Sequence, residues 1–216
     1  MEIIDLTQYI DEKMPVYPGT EPPLLLNALD IDKDGFQEKK ITMFSHTGTH
    51  LDAPGHIIKG GLTLDQLPVG YFYGVAYCLP VHGDAMGMIS VEEIKKQEKA
   101  ISQSDYLLLC SGWSKFWGKN SYFTDYPVLT ESAALWLTDN KLKGIGIDAI
   151  SVDKADTENY PIHRILLGSG MVLVENLTNL EIIRNKQFYF SCFPLKIVES
   201  DGSPVRAVAY VNPGKH

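Results

Sequence analysis

The sequence predicts a mixed α/β protein built around one large, partly antiparallel sheet. Segments with strand-like patterns outnumber helical segments, and the helical segments lie in the middle of the chain. No internal repeat and no Pro/Gly/Ser-rich linker divides the 216 residues, and the apolar fraction of 44% is ordinary for one globular core. We therefore expect a single domain over residues 1–216.

The predicted strands are apolar or alternating segments that are bounded by turn residues. In chain order they cover residues 2–9, 24–31, 37–44, 73–81, 106–110, 144–148, 171–175, 187–193 and 206–211. Closely spaced prolines after the first strand predict an irregular loop, and the Asp-Lys-Asp-Gly sequence ending at Gly35 predicts a turn between the next two strands.

Two helices are predicted from residues that favour a helix N-terminus. Ser90 is followed three residues later by Glu93, a capping box that opens a helix through about residue 99. Thr130 is a suitable N-cap for a helix over residues 130–140. Residues 162–167 are long enough for one or two further helical turns.

Charge and composition exclude several classes of partner. The formal net charge is −8, whereas binding to a nucleic-acid backbone needs a basic surface, so we expect no nucleic-acid partner. No secretory signal and no apolar run of roughly 20 residues is visible, which predicts a cytoplasmic protein without a membrane partner. The widely spaced Cys78, Cys110 and Cys192 predict buried free thiols rather than disulfides.

One histidine-rich segment carries the pattern His46-x3-His50-x-Asp52-x3-His56. Imidazole nitrogens and carboxylate oxygens are ligands that Zn²⁺ and Mn²⁺ accept. Gly48 allows the chain to turn between the first two histidines, and Asp52 would return to the side of His50 if the backbone is extended there. The Gly and Pro residues predict that the segment is mostly loop. A polar, histidine-rich surface loop is the alternative interpretation.

Motifs of other enzyme classes are absent from the sequence. The chain contains no Gly-x-Ser-x-Gly nucleophile elbow. It also contains neither a Gly-x-x-x-x-Gly-Lys phosphate loop nor a Gly-x-Gly-x-x-Gly fingerprint. Metal-dependent chemistry at the histidine-rich segment is thus the leading hypothesis, and a structural metal site in a non-catalytic binding protein is the alternative.

Three stretches resemble the cyclase-like metal-dependent hydrolases, whose best-known members are the bacterial kynurenine formamidases and, more distantly, the isatin hydrolases. The first stretch is His46-Thr-Gly-Thr-His-Leu-Asp-Ala-Pro-Gly-His56, and the second is Gly146-Ile-Asp-Ala-Ile-Ser-Val-Asp153. The third joins His163 to Met171-Val-Leu-Val-Glu175. The resemblance implies a fold of the swivelling β/β/α type.

The resemblance also implies two divalent ions, Zn or Mn, that lie side by side. His46, His50 and Asp52 would hold the first ion. Asp52 would bridge to the second ion, whose shell His163 and Glu175 would complete.

The remaining site residues implied by the resemblance act on the substrate. His56 corresponds to the family's catalytic acid–base residue, and Tyr17 takes a substrate-contacting position where the formamidases typically carry Trp. The implied reaction is hydrolysis of an aryl formamide such as N-formylkynurenine to the amine and formate. Another cyclic amide or ester, such as an isatin or a lactone, is the alternative substrate. The implied partners are this small molecule and further copies of the chain, in a homodimer or a homotetramer.

Overall fold

A computed structural model describes residues 1–211, so residues 212–216 of the predicted domain lie outside the described part. The strands are β1 (Glu2–Asp5), β2 (Leu24–Leu29), β3 (Glu38–Thr42), β4 (His50–Asp52), β5 (Tyr73–Pro80), β6 (Met88–Ile89), β7 (Tyr106–Cys110), β8 (Val128–Leu129), β9 (Gly144–Ile147), β10 (Val172–Glu175), β11 (Gln187–Ser191), β12 (Gly202–Pro204) and β13 (Val208–Val211). The α-helices are α1 (Ile31–Asp34), α2 (Val91–Lys95), α3 (Glu98–Ile101), α4 (Glu131–Thr138) and α5 (Pro161–Gly168). None of the helices formed by residues 1–211 combines the length and the apolarity that a membrane crossing requires.

Nine strands form one mixed sheet in the order β1-β13-β11-β5-β7-β9-β10-β4-β12. Neighbouring strands run parallel from β5 through β7 and β9 to β10, and antiparallel in the rest of this sheet. The predicted α/β domain with a large, partly antiparallel sheet is therefore confirmed.

Strand β7 shows how the sheet supports two hydrophobic clusters. Successive side chains of a strand point to opposite faces. Leu107 and Leu109 belong to the cluster that contains the buried side chains of α2 to α5, whereas Leu108 and Cys110 belong to the second cluster. All residues of β7 are buried, which explains why the segment is uniformly apolar rather than alternating. The three cysteines are buried free thiols, as predicted.

The helix predicted from Ser90 through about residue 99 is divided into two short helices. Ser90 caps α2 as predicted, because its hydroxyl accepts a hydrogen bond from the backbone N–H of Glu93. The N–H of Gln97 then bonds the carbonyl of Ile94, a tight i→i+3 turn that ends the α-helical ladder. At Gln97 the backbone leaves the helical region (φ −119°, ψ 23°), and α3 begins at the next residue.

The second and third predicted strands form a separate antiparallel ribbon of β2 and β3. The connection between them is the short helix α1 rather than a simple turn. This helix forms because the Asp30 side chain accepts a hydrogen bond from the N–H of Asp32, and it ends at Gly35.

Part of the histidine-rich segment enters the large sheet as β4. This strand lies between β10 and β12, so the prediction of a loop is wrong for His50–Asp52. Both neighbours are strands from the last third of the chain, and such long-range pairing leaves no local signal. The register places His50 opposite Glu175 at the end of β10. The crossover between the parallel strands β9 and β10 contains α5, which begins close to this point.

Candidate metal centre

The five residues that the sequence implicates as metal ligands lie together in the structure. His46, His50 and Asp52 form one group of three donors, and Asp52, His163 and Glu175 form another. In each group the donor atoms lie within 4.8 Å of one another. The prediction that His163 and Glu175 approach the histidine-rich segment is confirmed, although more than a hundred residues separate them from it in sequence.

Asp52 presents one carboxylate oxygen to each group. Its Oδ1 lies 2.7 Å from His46 Nδ1 and 3.2 Å from His50 Nε2. Its Oδ2 lies 3.8 Å from His163 Nε2. Glu175 spans the same two groups, since its Oε2 lies 3.5 Å from His50 Nε2 and its Oε1 lies 3.4 Å from His163 Nε2. Both carboxylates are buried, so water does little to screen these interactions.

A turn at Gly48 aims the two histidines at Asp52. Gly48 has φ +66°, in the left-handed region that glycine adopts without strain. Its carbonyl lies 2.9 Å from His50 Nδ1 and also accepts a hydrogen bond from the Asn176 amide. Because a carbonyl only accepts, Nδ1 of His50 carries a proton, and Nε2 is the ring nitrogen that is directed at Asp52. The extended backbone of β4 directs His50 and Asp52 to the same side, as predicted.

Asp153 holds His163 at the start of α5. Its carboxylate accepts hydrogen bonds from the backbone N–H groups of Ile162 (3.0 Å) and His163 (2.9 Å), which satisfies two free donors of the helix N-terminus. The same carboxylate lies 2.7 Å from His163 Nδ1, so Nε2 is the ring nitrogen directed at Glu175. Sequence reasoning gave Asp153 no role, although this residue ends the second stretch that resembles the family.

The carboxylates of the cluster stabilise the positively charged form of its imidazoles. Burial alone would lower the pKa of His46, but the Asp52 and Asp201 carboxylates raise it to about 10. Burial likewise opposes the charged form of His163, and its carboxylate neighbours raise its pKa to about 10. Burial would raise the pKa of Asp52, but the surrounding imidazoles hold it well below its usual range. In the protein alone, protons on the imidazoles supply the positive charge that these carboxylates require.

His56 lies beside the cluster and contacts Asp201, a residue that sequence reasoning missed. His56 Nδ1 lies 3.1 Å from Asp201 Oδ2, and the His56 ring centroid lies 4.0 Å from that of His46. His46, His56 and Asp201 form a third group whose donor atoms lie close together. The sequence Ser-Asp-Gly around Asp201 resembles an ordinary turn, so it carried no signal.

A cavity of about 600 Å³ opens onto the cluster. Its wall includes Tyr17, Phe44 and Tyr160 in addition to the histidines. Burial and the neighbouring Tyr160 raise the pKa of Tyr17 to about 12, so the phenol stays neutral at physiological pH. Tyr17 thus lies where a substrate could touch it, and the contact itself stays a prediction.

Gly202 lies directly against the His46 ring, and a Cβ added there would be 2.5 Å from His46 Cε1. We predict that Gly202→Ala displaces the ring and lowers the free energy of unfolding by about 1–3 kcal/mol, the usual cost of overpacking. Thermal unfolding should then show a Tm about 2–12 °C below that of the wild type. Gly70→Ala is the matched control, because nothing lies within 4 Å of its added Cβ. Equal Tm values for the two variants would contradict the prediction.

Comparisons of the sequence with known proteins agree with this geometry. The family model described as "Putative cyclase" matches residues 4–154. An uncharacterised protein of Methanocaldococcus jannaschii is 34% identical over 215 residues, which cover 97% of this chain and 99% of that protein. The kynurenine formamidase of Bacillus cytotoxicus is 30% identical, and the match covers 96% of each chain.

Solved structures share the fold. The structure of a "potential metal-dependent hydrolase with cyclase activity" has a TM-score of 0.82 at 26% identity, and the match covers 99% of both chains. Isatin hydrolase A from Ralstonia solanacearum has a TM-score of 0.84 at 24% identity, covering 98% of this chain and 92% of its own, and shows the same fold. The family model matches residues 4–154, and a formamidase relative matches over nearly its whole length. The chain therefore belongs to the cyclase family of metal-dependent hydrolases.

Proposed function

We propose that the protein uses two divalent ions to hydrolyse an aryl formamide, such as N-formylkynurenine, to the aryl amine and formate. The main support for this proposal is the geometry of Asp52, because its two oxygens face two separate groups of imidazole donors. The kynurenine formamidase relative supports the class of substrate, and the cavity beside the donors offers room for one.

The chemistry of the donor set fits Zn²⁺ or Mn²⁺. His46, His50 and Asp52 would hold one ion, and Asp52 would share the second with His163 and Glu175. Within residues 1–211, all salt-bridge partners of the two carboxylates are imidazoles. Two buried carboxylates without a Lys or Arg partner are stabilised by bound cations, which would replace the protons of the metal-free protein.

The imidazoles are already oriented for this role. A ligating histidine usually donates its second ring N–H to a carboxylate or a carbonyl, which fixes the ring and its tautomer. Each of the three histidines has such a partner, namely Asp201 for His46, the Gly48 carbonyl for His50 and Asp153 for His163. The site therefore needs little rearrangement to accept ions.

His56 would move the proton that the reaction requires. When bound, the ions supply Lewis acidity, which lowers the pKa of a water from 15.7 to about 7 and stabilises negative charge on the carbonyl oxygen. Because His56 Nδ1 faces Asp201, Nε2 is the atom free to take a proton from the attacking water and to return it to the leaving amine. Tyr17 and Phe44 on the cavity wall would contact the aryl ring.

Subunit number is a separate part of the proposal. We expect a homodimer or a homotetramer, on the resemblance to the formamidases alone. Light scattering coupled to size-exclusion chromatography measures it directly, and a monomeric mass would contradict the expectation.

We predict that protein reconstituted with Zn²⁺ or Mn²⁺ releases one formate and one aryl amine from each N-formylkynurenine. The expected kcat/KM is at least about 10⁴ M⁻¹ s⁻¹, the lower end of ordinary enzyme efficiencies. Formate is measured enzymatically and the amine by its absorbance, with chelator-treated protein as the control. Isatin and an aryl lactone are tested in parallel.

Each other outcome selects an alternative function. Ring opening of isatin or the lactone without formate release would replace the formamide by another cyclic amide or ester. No turnover of any of the three substrates by protein with bound ions would indicate a non-catalytic metal-binding protein.

A further inference from the structure

Asp201 is the carboxylate that contacts both His46 and His56. Its Oδ2 lies 2.9 Å from His46 Nε2 and 3.1 Å from His56 Nδ1, and its Oδ1 accepts a hydrogen bond from the Ser45 hydroxyl at 3.1 Å. We propose that Asp201 is a positioning residue, which holds His56 in the tautomer whose unprotonated Nε2 faces the cavity. The functional meaning of this inference rests on the proposed function, because it assigns a task to the proton carrier of that reaction.

The backbone fixes Asp201 at this point through the pairing of β12 with β4. Gly202 lies opposite Asp52 in the register. Between these strands, the carbonyl of Asp201 accepts a hydrogen bond from the N–H of Ala53 at 2.8 Å. The carbonyl of Ala53 in turn accepts one from the N–H of His56 at 3.0 Å. The buried Ala53 is thus hydrogen-bonded to the backbones of both Asp201 and His56, which keeps their side chains close together.

The tautomer follows from what an ionised carboxylate can do. Such a group only accepts hydrogen bonds, so each ring nitrogen that faces Asp201 carries a proton. For His56 the protonated atom is Nδ1, and Nε2 keeps its lone pair. For His46 the same rule places a proton on Nε2, whereas Nδ1, which faces the Asp52 carboxylate, would exchange its proton for an ion. In the Ser-His-Asp triad, a buried aspartate fixes the same tautomer of the histidine, with the proton on Nδ1.

Without this carboxylate, the His56 ring would keep its packing against His46 but would have no side-chain hydrogen-bond partner among the described residues. Its side chain is 33% exposed, and within the described residues its only side-chain hydrogen bond is the one to Asp201. An asparagine at position 201 could still place one oxygen between the two imidazoles, but without the negative charge it accepts both hydrogen bonds more weakly. We therefore expect Asp201→Asn to release His56 into a mixture of tautomers and ring orientations.

Nuclear magnetic resonance of the zinc-loaded, full-length protein tests the tautomer without any substrate. Long-range ¹H–¹⁵N spectra of histidine-labelled protein distinguish a proton on Nδ1 from one on Nε2. We expect the proton of His56 on Nδ1 in the wild type and a shift of population towards Nε2 in Asp201→Asn. A proton on Nε2 in the wild type, or an unchanged tautomer in the variant, would overturn the proposal.

Kinetics then tests whether Asp201 acts through His56. Asp201→Asn should lower kcat about 10²–10⁴-fold, with KM changed less than about threefold and two zinc ions still bound at saturating zinc. In the His56→Ala background the same substitution should cause no further loss of kcat, since the group it positions is absent. Glu199→Gln removes an exposed carboxylate two residues away and should leave kcat unchanged.

The remaining outcomes separate this proposal from its alternatives. Loss of a zinc ion in Asp201→Asn would make the carboxylate a metal ligand, as the third donor group of His46, His56 and Asp201 allows, and would overturn the positioning role. An equal loss of kcat in the His56→Ala background would place its effect on His46 instead. If the wild type hydrolyses no substrate, the proposed function fails, while the spectra still decide the tautomer.

Discussion

Asp52→Asn is expected to give a folded protein that binds neither ion and has lost its activity. The substitution keeps the shape of the side chain but removes the charge and one of the two oxygens that face the donor groups. Both groups then lose the carboxylate that they share as a donor, and Glu175 alone is left to span them. Turnover should fall at least about 10⁴-fold, because the pKa of an unbound water returns from about 7 to 15.7.

Metal analysis after dialysis measures this effect directly, beside the rate of formate release. Asp139→Asn is the matched control, since this exposed carboxylate follows α4 and does not line the cavity. We expect the control to keep two ions and full activity. An Asp52→Asn protein that retains both ions would refute the bridging role.

His56→Ala should keep both ions and lose activity about 10²–10⁴-fold, the usual contribution of a positioned acid–base group. The two groups of donors around Asp52 do not include His56, so its removal leaves both intact. His50→Ala should behave differently and lose metal and activity together, because His50 Nε2 lies close to both Asp52 and Glu175.

Comparison of metal content and rate in these two variants distinguishes a proton carrier from a ligand. His82→Ala, which removes a histidine outside the cavity, is the control for the loss of an imidazole. A His56→Ala protein without its metal would identify His56 as a ligand and leave the proton transfer without a candidate.

The elements that sequence analysis predicted well are those with strong local signals. The apolar run Tyr106–Cys110 forms β7 with the predicted bounds. Ser90 and Thr130 cap helices as their hydroxyls suggested, since each accepts a backbone N–H three residues ahead. The order of the nine strands was not predictable, because it depends on pairing between segments far apart in the chain.

The residues of the candidate site also fall into those with a local sequence signal and those without one. The spacing of His46, His50 and Asp52 and the turn at Gly48 were visible in eleven consecutive residues. Family resemblance alone pointed to His163 and Glu175, which α5 and β10 bring to the cluster. Asp201 could not be predicted, because it reaches the histidines only through the pairing of β12 with β4.

The position of β4 between two late strands also determines when the site can exist during protein synthesis. The histidine-rich segment leaves the ribosome more than a hundred residues before β10, and β12 follows later still, at Gly202–Pro204. Pairings over such distances form slowly. A nascent chain that ends before α5 and β10 therefore exposes His46, His50 and Asp52 without His163 and Glu175, the remaining donors of the second group. We therefore expect the second donor group to be complete only after β10 has been synthesised.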